Sequence, residues 1–81
     1  MRIDKFLKNS RLIKRRAIAK EACDRERVFI NGRPAKPGAE VKIGDTVLVR
    51  FGNGETEVRV TALLDSARKE DAASMYEPIS R

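Results

Sequence analysis

Apolar positions along this chain follow two different periods, and the change comes near residue 27. Before it, Ile3, Phe6 and Leu7 recur at the i, i+3, i+4 spacing of a helix that buries one stripe. Asp4 is read as the N-cap of this short first helix, with Lys5-Phe6-Leu7-Lys8 behind it. Leu12 and Ile13 form an apolar connection to a second helix, expected over residues 15–24. Its buried pairs are expected to be Ile18 with Ala22 and Ala19 with Cys23, each one turn apart. Small side chains on that stripe let the helix approach its neighbour closely. Arg16 and Lys20 are also one turn apart, on a different face.

Beyond residue 27 the period is two. Val28 and Ile30 alternate with Arg27, Phe29 and Asn31, as in a strand with one buried face. Asn31-Gly32 is a turn signal, and Ala35 is expected to start a short second strand that Lys36-Pro37-Gly38 breaks. Val41 and Ile43 lead into a turn at Gly44-Asp45. A strand follows over Thr46–Phe51, then a Gly52-Asn53-Gly54 turn and a returning strand over 55–64. Phe6 and Phe51 fall on buried positions of this pattern, whereas Phe29 is out of phase with Val28 and Ile30 and is expected on the open face. Asp65 or Ser66 is expected to cap a last helix over 67–76, which Pro78 cannot extend. The fold class is α+β: two N-terminal helices packed on a small, mostly antiparallel sheet, with a short C-terminal helix. One domain over 1–81 is expected, as a core over 1–51 followed by a hairpin and helix over 52–81.

Composition narrows the function classes. An apolar content of 41% beside 37% charged residues suits a small globule rather than a disordered tail. No apolar run nears the ~20 residues of a spanning helix, and no signal-peptide pattern is present. No membrane partner is expected, and a cytoplasmic location is. Cys23 is alone and histidine is absent, which removes a disulfide, imidazole catalysis and nearly all zinc sites. With no nucleophile beside a base and no glycine-rich phosphate loop, a non-enzyme without cofactor or metal is expected.

The net charge of +6 is unevenly placed. Residues 1–20 hold eight Lys/Arg against one acid, while the other three quarters of the chain are close to neutral. Solubilising charge is usually of mixed sign, so a one-sign surface points to a polyanion. Lys14, Arg15 and Arg16 stand together at the start of the second helix, where each cation opposes the dipole at about 0.3–1 kcal/mol. A bound anion would offset that cost. A membrane-surface helix would need bulky apolar residues opposite the charge, but that face carries Ile18, Ala19, Ala22 and Cys23. Arg2, Lys5, Lys8, Arg11 and Lys20 complete the cluster, in which arginine forks suit phosphate oxygens. A plain turn explains Asn31 and Gly32; Arg33 and Lys36 beside it are either solvated or secondary phosphate contacts. One exposed aromatic does not make a base-stacking platform, so recognition of RNA shape and backbone is expected.

The segments "RIDKFL", "KRRAIAKEA", "RVFINGRPAK" and "VKIGDTVLVRF" together resemble the RNA-binding domain first seen in small-subunit ribosomal protein S-four, the αL motif. Arg2 and Asp4 match its opening, Arg16 and Ala19 its second segment, Val28, Ile30, Asn31 and Gly32 its third, and Gly44-Asp45 its fourth. Two positions depart: Arg15 replaces the usual Ser or Thr cap, which can shift the helix start, and Glu26 replaces a usual glycine. The whole chain, through "VRFGNGETEVRV" and "KEDAASMYE", resembles the bacterial ribosome-associated quality-control branch of that family. That resemblance implies a monomer bound to stalled large ribosomal subunits, contacting ribosomal RNA and the peptidyl-site tRNA. It also implies an RqcH-type partner that tails the nascent chain with alanine. Arg2 and Arg16 are carried over as RNA contacts, with Asp4 fixing the first helix. The charge argument adds Lys5, Arg11, Lys14, Arg15 and Lys20. The rival readings are a related small heat-shock protein with a longer basic tail, a generic RNA-binding accessory domain, and a module for an acidic protein.

Overall fold

The computed structural model describes residues 1–64 and 69–79. Helices α1 (Ile3–Asn9) and α2 (Arg16–Asp24) precede strands β1 (Val28–Ile30), β2 (Arg33–Pro34), β3 (Thr46–Phe51) and β4 (Gly54–Val60). A short helix α3 (Lys69–Ala72), a 3₁₀ turn (Ala73–Met75) and a strand β5 (Tyr76–Pro78) follow. The strands form one sheet in the order β2-β1-β3-β4-β5, every neighbour antiparallel.

Register explains why one sheet face accepts the helices. Val28 pairs with Val49, Ile30 with Val47, and Val47 with Val58. Alternation then puts Val28, Val47, Val49, Val58 and Val60 in one core with Ile3, Phe6, Leu7, Ala19 and Cys23. Full burial of each of Ile3, Phe6 and Leu7 contributes about 1.5–3 kcal/mol. That outweighs the few tenths to one kcal/mol lost at each cation near the start of α2.

Several expectations change. Asp4 is not the N-cap: Arg2 holds that position and Asp4 lies buried inside the first turn. Ala19 and Cys23 are buried, but Ile18 is 50% exposed and Ala22 only half-buried, because the sheet ends before it covers that flank of α2. Phe51 lies on the core side of β3 by alternation yet is 46% exposed, since the strand overhangs the core. The short second strand is Arg33–Pro34, and Ala35 is buried just after it. The strand expected over 55–64 stops at Val60, where its partner begins at Thr46 opposite Arg59. Among the described residues the last helix spans Lys69–Ala72 and ends before the expected residue 76, and Tyr76–Pro78 is a strand; Pro78 is tolerated because β5 is an edge. The proposed caps Asp65 and Ser66 lie outside the described residues.

The two family departures resolve simply. Helix α2 begins at Arg16 with Arg15 as an N-cap that makes no side-chain cap bond, so its start is not shifted. Glu26 adopts φ 57°, and its N–H donates to the Cys23 carbonyl while that of Arg27 donates to the Ala22 carbonyl. This is the paired closing bond pattern normally built on glycine.

Candidate nucleic-acid interface

The start of α1 is held against residues 36–41. The Ile3 N–H donates to the Ala39 carbonyl at 2.8 Å and the Val41 N–H to the Met1 carbonyl at 2.9 Å. Arg2 faces Glu40 across an isolated bridge, and the terminal ammonium donates to Glu40 Oε1 at 2.9 Å. Acidic Glu40 is thereby engaged by the chain's own N-terminus.

Asp4 is the centre of the site. Its side chain is 1% exposed, and its Oδ1 accepts from the Lys5 N–H at 2.8 Å. Arg2 donates from Nε to Oδ1 at 3.2 Å and from Nη2 to Oδ2 at 3.3 Å. Arg16, from the other helix, brings Nε to 3.5 Å from Oδ2. One buried carboxylate therefore ties two half-exposed guanidiniums, one at the N-cap of α1 and one at the first residue of α2, to a single point. Each guanidinium has five N–H donors, so both keep donors for an outside anion. An Arg pair fixed in this way loses less conformational freedom on binding than two loose side chains.

The other residues named from the sequence fall around this centre. Lys5 is half-buried on α1, Lys20 is exposed on α2, and Lys14 and Arg15 are exposed just before it. Arg11 is exposed between the helices with φ 63°, a left-handed conformation that costs a non-glycine residue about 1–2 kcal/mol. Lys36 is exposed on the turn whose Gly38 lies beside the Arg2 guanidinium, so it shares that end of the molecule. Arg33 is exposed on edge strand β2 and reaches the group only through residues 34–37.

Asn31 and Gly32 do turn work. Both have positive φ, at 51° and 83°, as a type I′ hairpin requires. The Asn31 side chain donates to Asp45 Oδ1 at 3.1 Å and accepts from the Thr46 N–H at 2.9 Å. Asp45 Oδ2 in turn accepts from the Lys42 N–H at 2.9 Å. The two motif turns thus lock to each other.

The S4 domain family model matches residues 1–47, more than half of the chain. The chain belongs to the S4 domain family. The chain is 52% identical over 80 residues to the "RQC P-site tRNA stabilizing factor" of Streptococcus pneumoniae, covering 99% of this chain and 91% of that one. It is 55% identical over 76 residues to the protein of the same name from Bacillus subtilis, covering 94% and 88%. Among solved structures, the heat shock protein 15 of Vibrio cholerae, described as trimeric, shares this S4 fold with a TM-score of 0.91 and 30% identity, covering 99% of this chain and 82% of the other. The heat shock protein 15 of Escherichia coli is 37% identical over 78 residues, and the chain spans 59% of its length.

The chain carries two groups of basic residues, and only the N-terminal one stands out along the sequence. Arg25, Arg27 and Arg50 lie on another side, with Lys14, around an apolar groove. Arg25 is paired with Glu21 at 2.8 Å. The Arg50 guanidinium sits 4.9 Å from the centre of the half-buried Phe29 ring. Residues 21–40 and 41–60 are each neutral in total, and such totals conceal where a fold collects one sign. Burial, then the Asp4 and Asp24 charges, push the Cys23 thiol up to about 11.

Proposed function

We propose that this S4 domain binds large ribosomal subunits that hold peptidyl-tRNA after a stall. It contacts ribosomal RNA and the peptidyl-site tRNA through Arg2, Arg16, Lys5, Arg11, Lys14, Arg15 and Lys20. Arg33 and Lys36 add outer phosphate contacts, and Asp4 sets the geometry. The observation that carries this reading is the pair of guanidiniums from two helices held on one buried carboxylate. Such a fixed pair of guanidinium forks suits RNA backbone more than a flexible acidic peptide. The strained backbone at Arg11 supports it too, because a glycine there would cost less and carry no charge. The names of the full-length relatives agree with this role. On this reading the protein is a cytoplasmic, non-enzymatic factor that steadies the tRNA while an RqcH-type factor adds alanine.

The test is co-sedimentation with large subunits over a salt series. Binding falls log-linearly with salt, and Arg16→Ala lowers affinity and reduces the slope by about one. Arg59, paired with Glu77 at 3.5 Å on the sheet, serves as the control, and Arg59→Ala leaves both unchanged. Arg68→Ala is also expected to leave both unchanged, although Arg68 lies outside the described residues. Equal effects at Arg16 and Arg59 would move the RNA surface onto the sheet. Recovery with free tRNA or messenger RNA in place of large subunits would favour a generic RNA binder.

A further inference from the structure

The chain has three asparagines, and two of them, Asn31 and Asn53, precede glycine. An Asn-Gly step carries its own chemistry. The glycine nitrogen has no side chain beside it to hinder attack on the asparagine amide carbon, Cγ. Once that nitrogen loses its proton to solvent base, it bonds to Cγ, the Cγ–Nδ2 bond breaks and ammonia leaves. Water then opens the resulting five-membered ring at either carbonyl, giving aspartate or isoaspartate. No group is oxidised or reduced. By sequence the two steps are equivalent, and both sit in tight turns between antiparallel strands.

The fold separates them. A Cβ placed at Gly32 or at Gly54 would meet nothing within 4 Å, so crowding does not distinguish the two. Tethering does. Asn31 Nδ2 donates to Asp45 Oδ1 at 3.1 Å, and Asn31 Oδ1 accepts from the Thr46 N–H at 2.9 Å. Attack turns the planar Cγ tetrahedral, which pulls both atoms out of the positions those bonds fix. Asp45 is itself held by the Lys42 N–H at 2.9 Å, so the tether does not give way easily. Asn53, in contrast, is exposed at the β3–β4 tip, and its side chain makes no hydrogen bond among the described residues. Its glycine lies at the last pair of the ladder, Phe51 opposite Gly54, where local opening costs least.

We propose that Asn53 is a self-modification site of this chain, converting to aspartate and isoaspartate, and that the Asn31–Asp45 lock shields Asn31 from the same reaction. The consequences at the two positions differ. At Asn53 the product adds one negative charge at an exposed tip, lowering the net charge from +6 by one unit, in a turn that shares no residue with the group around Asp4. At Asn31 it would set a second carboxylate against Asp45 Oδ1, where an amide now donates. Isoaspartate there would also lengthen the backbone of a turn whose two residues need positive φ. Like charges that close repel, so the two motif turns would part. Asp45 therefore guards the chemistry of the first turn as well as its geometry. The inference does not depend on the RNA reading.

The experiment incubates the full folded chain in mildly alkaline buffer and follows each asparagine by peptide mapping with mass spectrometry, which reads the exchange of NH₂ for OH. The same chain unfolded in denaturant supplies the intrinsic rates, and there the two positions are expected to convert alike. In the folded chain Asn53 converts at least about tenfold faster than Asn31, because the lock must open before Asn31 reacts. Asp45→Ala removes the tether and raises conversion at Asn31 toward that at Asn53. If that variant fails to fold, the comparison within the parent chain still decides the inference. The product mimics test the consequence: Asn31→Asp lowers the denaturation midpoint, and Asn53→Asp leaves it unchanged. Three outcomes overturn the inference: equal rates at the two positions in the folded parent, no conversion at Asn53 over a period in which the unfolded chain converts, or an unchanged Asn31 rate in a folded Asp45→Ala chain.

Discussion

At the scale of single residues, Asp4 and Cys23 show how burial assigns roles that residue type alone leaves open. Asp4 is the one acid in a basic quarter of the chain, and it would be natural to count it as a loss of one positive charge. Buried under Arg2 and Arg16, it instead fixes where two cations stand. Two arguments then oppose each other for Asp4→Asn. Net charge rises from +6 by one unit, and simple attraction predicts tighter RNA binding. Loss of the charged anchor frees both guanidiniums and predicts weaker binding. The second effect is expected to win, with affinity reduced several-fold and stability reduced by about 1–3 kcal/mol; a filter-binding salt series with a denaturation curve checks both. Cys23 gives the second residue prediction. With its thiol pushed to about 11 from an ordinary 9.0, it should resist a thiol reagent near pH 8 until the chain is unfolded. The sign of the pH effect follows from the raised folded value. Both states keep the proton below about 9; above it the unfolded thiol ionises first, so stability falls as pH rises toward about 11. Rapid labelling of the folded protein at pH 8 would contradict the burial.

At the scale of elements, turns and helix ends carry the family pattern, and non-glycine residues in left-handed backbone there carry the strain. Asn31 and Asp45 tie two turns together, which accounts for their place in the motif without any contact to RNA. Glu26 closes α2 in a left-handed conformation that glycine takes at little cost. Glu26→Gly is therefore expected to stabilise the fold by about 1 kcal/mol, read as a higher denaturation midpoint with unchanged slope. No gain would mean that the Glu26 side chain contributes an offsetting interaction. Most helix and strand positions were legible from spacing: Ile3, Phe6 and Leu7, then Thr46–Phe51, follow their periods closely. The exit from β4 was not. Strand and loop residues from 61 to 64 share the same apolar character, and only the end of the partner strand at Thr46 decides where pairing stops. Strand β5 was equally hidden, because Tyr76-Glu77-Pro78 has too few residues to show a period and gains its structure from β4.

At the scale of the whole molecule, both outer strands contain proline, Pro34 in β2 and Pro78 in β5. Proline lacks the N–H that edge pairing needs, so sheet-to-sheet association through either edge is disfavoured. A single 9.1 kDa species is therefore expected in light scattering at moderate salt, although a structural relative was solved as a trimer. A threefold mass that survives high salt would require an interface elsewhere, and the groove around Ile18 and Phe51 would be the first place to look. By itself, the sequence determined the helix and strand periods, the turn chemistry and the concentration of positive charge in the first twenty residues. Those are local properties, written in spacing and side-chain type. Only the tertiary structure decided that Arg2 and Arg16 share one buried carboxylate, that Arg25, Arg27 and Arg50 gather around a groove, and that Ile18 and Phe51 remain uncovered. Each depends on residues far apart in the chain meeting in space, and on a core too small to cover the ends of its own helix and strand.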